Sequence, residues 1–424
     1  MEDVEEAQVS EAQIAVHWKE EEFYQPPARF IGQANAADPD IFERFSEEHF
    51  PDCFKEYADL LTWDTYWHTT LDTSNPPFWK WFVGGRLNAS YNCVDRHLAT
   101  SGNKAAVIWV PEPEEEETRA ITYQELYRRV NEFAALLRDF CGVKVGDRVT
   151  FHLPMVTELP VAMLACARLG VIHSQVFGGF SGAACGGRIA DSQSRIHITM
   201  DGYYRNGELV DHKVKADEAV ERAREEGVEV EKVLVWRRHP GEYASKSPMV
   251  DGRDFFVDEI MPDYEGKLVD PVSMPAEAPL FIMYSSGTTG RPKGCQHSTG
   301  GYLAYVAGTS KYYQDIHPED TYWCLADIGW IRRGSLTERY MPCGTKTCRC
   351  NANPPQLHGP YYQYKRVING KTHSIRVTRQ QADLIQGWIN NGRHLNDIIK
   401  TMEQIAHEHT DHLLQHAAHT PAQT

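Results

Sequence analysis

From Tyr284 to Gly294 the chain reads Tyr284-Ser285-Ser286-Gly287-Thr288-Thr289-Gly290-Arg291-Pro292-Lys293-Gly294, a run whose residue types suit the phosphates of a nucleotide. Gly287, Gly290 and Gly294 admit backbone conformations closed to other residues and let a ligand approach the main chain. Ser285, Ser286, Thr288 and Thr289 add hydroxyl donors, and successive backbone N–H groups in such a loop can form an anion-binding concavity. Arg291 and Lys293 supply positive charge, with Pro292 stiffening the turn between them. No Gly-Lys-Ser/Thr follows, so this is not the phosphate loop of the P-loop enzymes. A plain surface loop rich in Ser and Gly is the competing reading. The apolar run Leu280-Phe281-Ile282-Met283 directly upstream argues against it, because it predicts a buried strand feeding the loop.

The elements that must position this loop follow a strand–helix rhythm. Ala105 to Val110 is a short apolar run suited to a buried strand, and the acidic stretch Glu112 to Glu117 after it reads as a solvated excursion. Thr122 and Glu125 have capping-box spacing, with Leu126, Val130, Phe133 and Leu137 recurring at helical intervals behind them. Gly142 and Gly146 close that helix; Asp147 to Leu153 predicts the next strand, Glu158 to Leu169 a helix, and Val171 to Phe177 another strand. Such βαβ alternation predicts an α/β fold with a largely parallel sheet flanked by helices. Ahead of it, residues 41–100 are rich in large rings (Trp63, Tyr66, Trp67, Phe78, Trp79, Trp81, Phe82), which predicts a helical cap packed on a bigger body. Residues 1–40 read as an acidic tail and lead-in. No internal repeat is present.

With these segments in place, the loop resembles the phosphate-binding segment of the adenylate-forming synthetases, and its surroundings are similar to the acetyl-coenzyme A synthetase family in particular. The likeness is carried by Trp81-Phe-Val-Gly-Gly-Arg-Leu-Asn-Ala-Ser-Tyr-Asn-Cys-Val-Asp-Arg-His97, Val176-Phe-Gly-Gly-Phe-Ser181, Gly252-Arg253-Asp254, His297-Ser-Thr-Gly-Gly-Tyr302 and Tyr322-Trp-Cys-Leu-Ala-Asp-Ile-Gly-Trp330. It covers residues 41–331, of which 101–331 would be part of an adenylation domain. The resemblance implies AMP-forming ligation of acetate and coenzyme A. Acetate attacks the α-phosphate of ATP to give acetyl-adenylate and pyrophosphate, and the coenzyme A thiolate then displaces AMP. ATP with Mg²⁺, acetate and coenzyme A are the implied small-molecule partners. Ser285, Ser286, Gly287, Thr288, Thr289, Gly290 and Lys293 would hold the triphosphate. Arg205 falls where the family places coenzyme A contacts. Glu208 stands where the family more often has a second Arg, and Leu325 where it usually has a Thr.

After Ile331 the pattern stops. The family's adenine, ribose and carboxylate-pocket motifs, its Mg²⁺ ligands and its C-terminal lysine have no counterpart in 332–424, so the expectation is a truncated member with weak ATP binding and no acetyl-CoA formation by this chain alone. Residues 333–405 instead resemble a family of short proteins of unknown function. They predict a β-hairpin about Asn369-Gly370 and a long amphipathic helix carrying Leu384, Ile385, Trp388, Ile389, Leu395, Ile398, Ile399, Met402 and Ile405. Cys343, Cys348, Cys350 and His358 are the candidate zinc ligands. Their spacing is not a standard one, and ordinary thiols in a turn are the preferred reading. Lys365, Arg366, Lys371, Arg376 and Arg379 beside Tyr361, Tyr362 and Tyr364 could contact nucleic acid through phosphates and stacking; a solvated basic hairpin is the alternative. A chimera with a relic synthetase front, or an artefactual join of two genes, are the alternatives for the whole.

Charge divides the chain at the same place. Residues 332–424 carry a net +6 and residues 1–331 a net −22, within an overall −16. No run of about 18 apolar residues occurs, so a membrane span is not expected. The acidic N-terminus lacks the basic start and apolar core of a signal peptide. The 10 cysteines form no close-set framework, which together with that N-terminus gives a cytoplasmic protein with reduced thiols as the expectation.

Overall fold

The computed structural model describes residues 28–76, 78–285, 293–322, 335–341, 358–368 and 371–377. At its centre is a seven-stranded sheet. In chain order its strands are β1 (Arg148–Leu153), β2 (Ile172–Phe177), β3 (Ile196–Met200), β4 (Lys232–Trp236), β5 (Asp254–Phe256), β6 (Pro279–Ser285) and β7 (Lys293–Ser298). Across the sheet they run β5-β4-β3-β1-β2-β6-β7. Every neighbouring pair is parallel except β6–β7, an antiparallel hairpin at one edge. The expected α/β architecture, parallel-rich and flanked by helices, is what the chain forms.

The helices follow from local chemistry. Helix α1 (Tyr123–Asp139) starts where the Thr122 side chain accepts from the Glu125 N–H at 3.1 Å, and it buries Leu126, Val130, Phe133 and Leu137. Helix α2 (Glu158–Leu169) ends on Gly170, whose φ of +68° is the left-handed conformation that glycine adopts at least cost. Helix α3 (Gly182–Ser192) is capped by Ser181, helix α4 (His212–Glu225) by Asp211, and α5 (Thr299–Gly308) follows β7.

The crossover from β1 through α2 steps one way across the sheet, and those through α3 and α4 step the other. Right-handed connections therefore put α2 and α3 on opposite faces. The packing agrees with this: α1 lies against α2, and α3 against α4. Strand alternation supplies both cores. Val149, Phe151, Leu153, Ile196, Ile198 and Leu234 join the α1–α2 side, while Val176, Val233 and Val235 join the α3–α4 side.

Three expectations need correction. Ala105–Trp109 is a strand, but it pairs antiparallel with Arg119–Thr122 outside the main sheet; Ile108 is 50% and Val110 71% exposed. A short apolar run predicts a strand without predicting which sheet receives it. The acidic stretch after it is not merely solvated. Glu116 pairs with the largely buried Arg238, and Glu112 accepts from the Gly207 N–H at 2.6 Å. Nor is the region before it a helical cap with every ring inside. It consists of short helical turns and two-stranded ribbons. Trp63 and Phe82 are buried, whereas Tyr66, Phe78 and Trp79 are exposed.

This N-terminal region is tied to the body by polar contacts. Buried Asn88 donates to the carbonyls of Ala167, Arg168 and Val272, and Asp95 holds the Arg168 guanidinium through both oxygens at 2.9 Å. Farther along, Ser335–Met341, His358–Ile368 and Lys371–Val377 form a separate three-stranded antiparallel sheet. Ile368 stands opposite Lys371, leaving two residues between the strands, the register expected of a hairpin at Asn369-Gly370. The helix expected between Leu384 and Ile405 lies outside the described residues.

Candidate functional site

Parallel sheets bind ligands beyond the carboxyl ends of their strands, where neighbouring connections leave toward opposite faces. Here that position is the end of β1 and β2, with β6 beside β2. Strand β6 ends at Ser285, and in the β6–β7 register Ser285 stands directly opposite Lys293. The segment 286–292 therefore leaves and re-enters the sheet at two paired residues on its carboxyl edge. One residue earlier, Tyr284 is buried and its hydroxyl donates to Asp191 Oδ2 at 2.6 Å. Burial, then the hydrogen bond to the Asp191 carboxylate, pushes the phenol well above the ordinary tyrosine range, so it remains a neutral donor. The Arg188 guanidinium covers the Tyr284 ring at 5.5 Å and the Phe180 ring at 4.7 Å. Both Arg188 and Asp191 belong to α3, the helix that leaves β2.

Next to β6, the carboxyl end of β2 turns through Phe177-Gly178-Gly179-Phe180. Arg205, at the end of the strand Gly202–Arg205, lies over the Phe177 ring at 5.2 Å. A Cβ at Gly179 would overlap both Arg205 Nη1 and the Phe177 ring, so a larger residue would require the Arg205 and Phe177 side chains to shift. Tyr203 donates its hydroxyl to the Gly178 carbonyl at 2.9 Å, and Lys215 Nζ reaches the same oxygen at 3.4 Å. Burial, then the nearby charge of Arg205, lowers the Lys215 pKa. Two cations thus converge on the β2 turn, with Glu218 as the carboxylate beside Lys215. Among the described residues no three His, Cys, Asp or Glu side chains converge as a metal site.

A family profile described as AMP-binding enzyme matches residues 94–342, more than half of the chain. The chain belongs to the AMP-binding enzyme family. A second profile, described as acetyl-coenzyme A synthetase N-terminus, matches residues 40–93. A third, a domain of unknown function, matches residues 319–386 and overlaps the AMP-binding match across the position of Ile331. Among curated relatives, the acetyl-coenzyme A synthetase of Pyrobaculum aerophilum is 46% identical over 297 residues, covering 68% of this chain and 43% of the relative. That of Streptomyces avermitilis is 45% identical over 325 residues, covering 76% and 48%. The chain spans less than half the length of these relatives. The solved acetoacetyl-CoA synthetase from Streptomyces lividans superimposes with a TM-score of 0.62 at 27% identity, over 72% of this chain and 48% of that one.

Within this AMP-binding fold, the site residues expected from sequence fall as follows. Ser285 and Lys293 are brought together at the stem of the loop, and Arg205 lies on the same carboxyl edge one strand away. Ser286, Gly287, Thr288, Thr289 and Gly290 lie outside the described residues, as do Cys343, Cys348, Cys350 and Leu325. His358 begins a strand, but its side chain is also outside them. Glu208 stands opposite Arg205 in its hairpin register. Sequence reasoning missed Arg188, Asp191 and Lys215. Nothing in their spacing singles them out, and only the folded chain brings α3 against Tyr284 and Lys215 against the β2 turn. No described helix is long and apolar enough to cross a membrane.

Proposed function

We propose that the β6–β7 hairpin holds the β- and γ-phosphates of ATP in AMP-forming activation of acetate for transfer to coenzyme A. The observation that carries this reading is the Ser285–Lys293 pair at the carboxyl edge of β6, which places a hydroxyl and an ammonium at the two ends of a Gly- and Thr-rich segment. An ammonium there neutralises charge on the leaving pyrophosphate, and main-chain N–H groups of the segment supply the remaining donors. Mg²⁺ would arrive on the triphosphate, keeping several waters and needing few protein ligands; bound there, it withdraws charge from the phosphates. The residues supporting a coenzyme A site are Arg205 and Lys215 at the Phe177–Phe180 turn. Lys215 provides the second cation that Glu208 does not, and the pair suits the coenzyme's anionic phosphates.

Calorimetric titration of Mg-ATP into the full chain tests this, with Lys293→Ala beside the wild type. The substitution is expected to weaken ATP binding about 10- to 100-fold, the loss of one charged hydrogen bond. Its effect on thermal stability should be small, because Lys293 is only half-buried. Failure of the wild type to bind ATP at millimolar concentration, or equal binding by the variant, overturns the proposal.

A further inference from the structure

Tyr284 is the last buried residue before the loop, at the foot of its two stems. It sits on β6 directly before Ser285, and across the hairpin its register partner is Gly294. A Cβ at Gly294 would lie 3.2 Å from Tyr284 Cε1 and 3.0 Å from Ile282 Cγ2, closer than side chains ordinarily pack. Gly294 has no left-handed φ among the glycines that do. A side chain there would crowd this ring and Ile282, and no left-handed turn requires the glycine. The other end of the phenol is held from outside the hairpin, by Asp191 at 2.6 Å, while Arg188 lies over its face. Arg188 is itself secured, Nη1 donating to the Ala184 carbonyl at 2.6 Å within α3. The ring is thus fixed by a helix that starts at Ser181, directly after the Phe177–Phe180 turn.

We infer that Tyr284 is a positioning residue for the triphosphate of ATP: anchored on Asp191 and covered by Arg188, it sets where the 286–292 segment leaves and re-enters the sheet. The inference rests on the phosphate-loop reading above and adds to it. Through α3 the same contacts join the phosphate stem to the glycine turn at the end of β2, so the two halves of the carboxyl edge share one support. Tyr284 itself takes no part in chemistry; its proton stays on the phenol and its hydroxyl is engaged with Asp191.

The test compares wild type, Tyr284→Phe, Asp191→Asn and Asp191→Ala in the full chain. For each, Mg-ATP affinity is measured by calorimetry, hydrogen exchange at the 286–292 amides by mass spectrometry, and the thermal midpoint by scanning. Phenylalanine keeps the ring against Gly294 and removes only the hydroxyl. Tyr284→Phe and Asp191→Ala are each expected to weaken ATP binding about tenfold and to speed exchange in the loop. Asp191→Asn, which keeps an oxygen acceptor, should stay within about threefold of wild type. The double variant Tyr284→Phe/Asp191→Ala should lose no more than either single one, as for two ends of one interaction. Lowered thermal midpoints with unchanged affinity and unchanged loop exchange would mean a purely structural hydrogen bond and overturn the inference. If wild type itself fails to bind ATP, the phosphate-loop reading falls. Loop exchange then still decides whether Tyr284 sets the loop, and no change in it overturns that too.

Discussion

The inner strands β1 to β4 and the edge hairpin β6–β7 handle reactive side chains in opposite ways. All of β3 and all but the first residue of β1 are buried, whereas no residue of β7 is. The inner region holds four fully buried histidines, His152, His173, His197 and His212, and a fully buried Lys213. Much of this chemistry is answered internally. Lys213 Nζ sits 2.7 Å from both Asp217 oxygens and 2.9 Å from Asp254 Oδ2, and Arg253 joins the same two carboxylates. His212 donates to the His152 carbonyl at 2.8 Å, and His197 to the Thr150 carbonyl at 3.2 Å. The hairpin carries Ser285 and Lys293 opposite each other at a strand end. The buried titratable residues belong to the packed middle of the sheet, whereas the residues proposed for ATP sit at its more exposed edge.

The largest effect that could break this contrast is at Lys213. Replacing it with Ala leaves Asp254 buried with an incomplete set of partners, which typically costs about 3–5 kcal/mol. In the folded chain burial would raise the Asp254 pKa, but hydrogen bonds from Arg253, Lys213 and the Val250 N–H outweigh it and hold the carboxyl below its usual range. Urea unfolding of Lys213→Ala measures the cost, and Mg-ATP titration at low temperature should show affinity within about twofold of wild type. A stable variant that no longer binds ATP would place Lys213 in the functional network and dissolve the distinction.

Acid should reveal the same inner region next. Burial holds His173 and His212 down to about 3 and His197 to about 4, and lowers His152 as well. In the unfolded chain each titrates near about 6.5. The folded state therefore excludes protons that the unfolded state binds. Stability is full above about pH 6.5 and falls as the pH drops toward 4, by up to about 1.4 kcal/mol per pH unit for each histidine. Urea midpoints between pH 7 and 4.5 measure this slope. His173→Gln should reduce it by one histidine's share; an unchanged slope would mean that His173 is hydrated or already charged in the fold.

What could be read from the sequence was what is local. Thr122, Glu125 and the apolar positions of α1 are contained in one segment, and the strands β1 and β2 were legible to within a residue because apolar runs bounded by glycines carry their own signal. The strand that leads into the 284–294 segment was legible for the same reason. What was not legible depends on partners far away in sequence. Tyr284 meets Asp191 across 93 residues, and no spacing rule connects them. The destination of Ala105–Trp109 and the exposure of Phe78 and Trp79 also depend on what the rest of the chain leaves uncovered.

The smallest effect concerns a row of rings that crosses from one region into the other. Phe151 on β1, His173 on β2, Phe281 on β6 and His297 on β7 stack in sequence at 5.6, 5.6 and 4.4 Å, with interplanar angles of 11°, 24° and 16°. Each rung comes from the next strand, so the row follows the sheet from its buried middle to its edge. Burial falls along it: Phe151 is inaccessible, and His297 is only half-buried. His297 makes one stacking contact, plus an edge-on contact with Tyr302 at 5.5 Å, so His297→Ala should cost about 0.5–1.5 kcal/mol, the range for a single aromatic pair. A loss above about 3 kcal/mol in urea unfolding, the size expected of a core ring, would show that the hairpin is as integral to the fold as β1. The stem of the loop would then be held by the core as a whole, and Tyr284 would no longer be needed to explain how it is positioned.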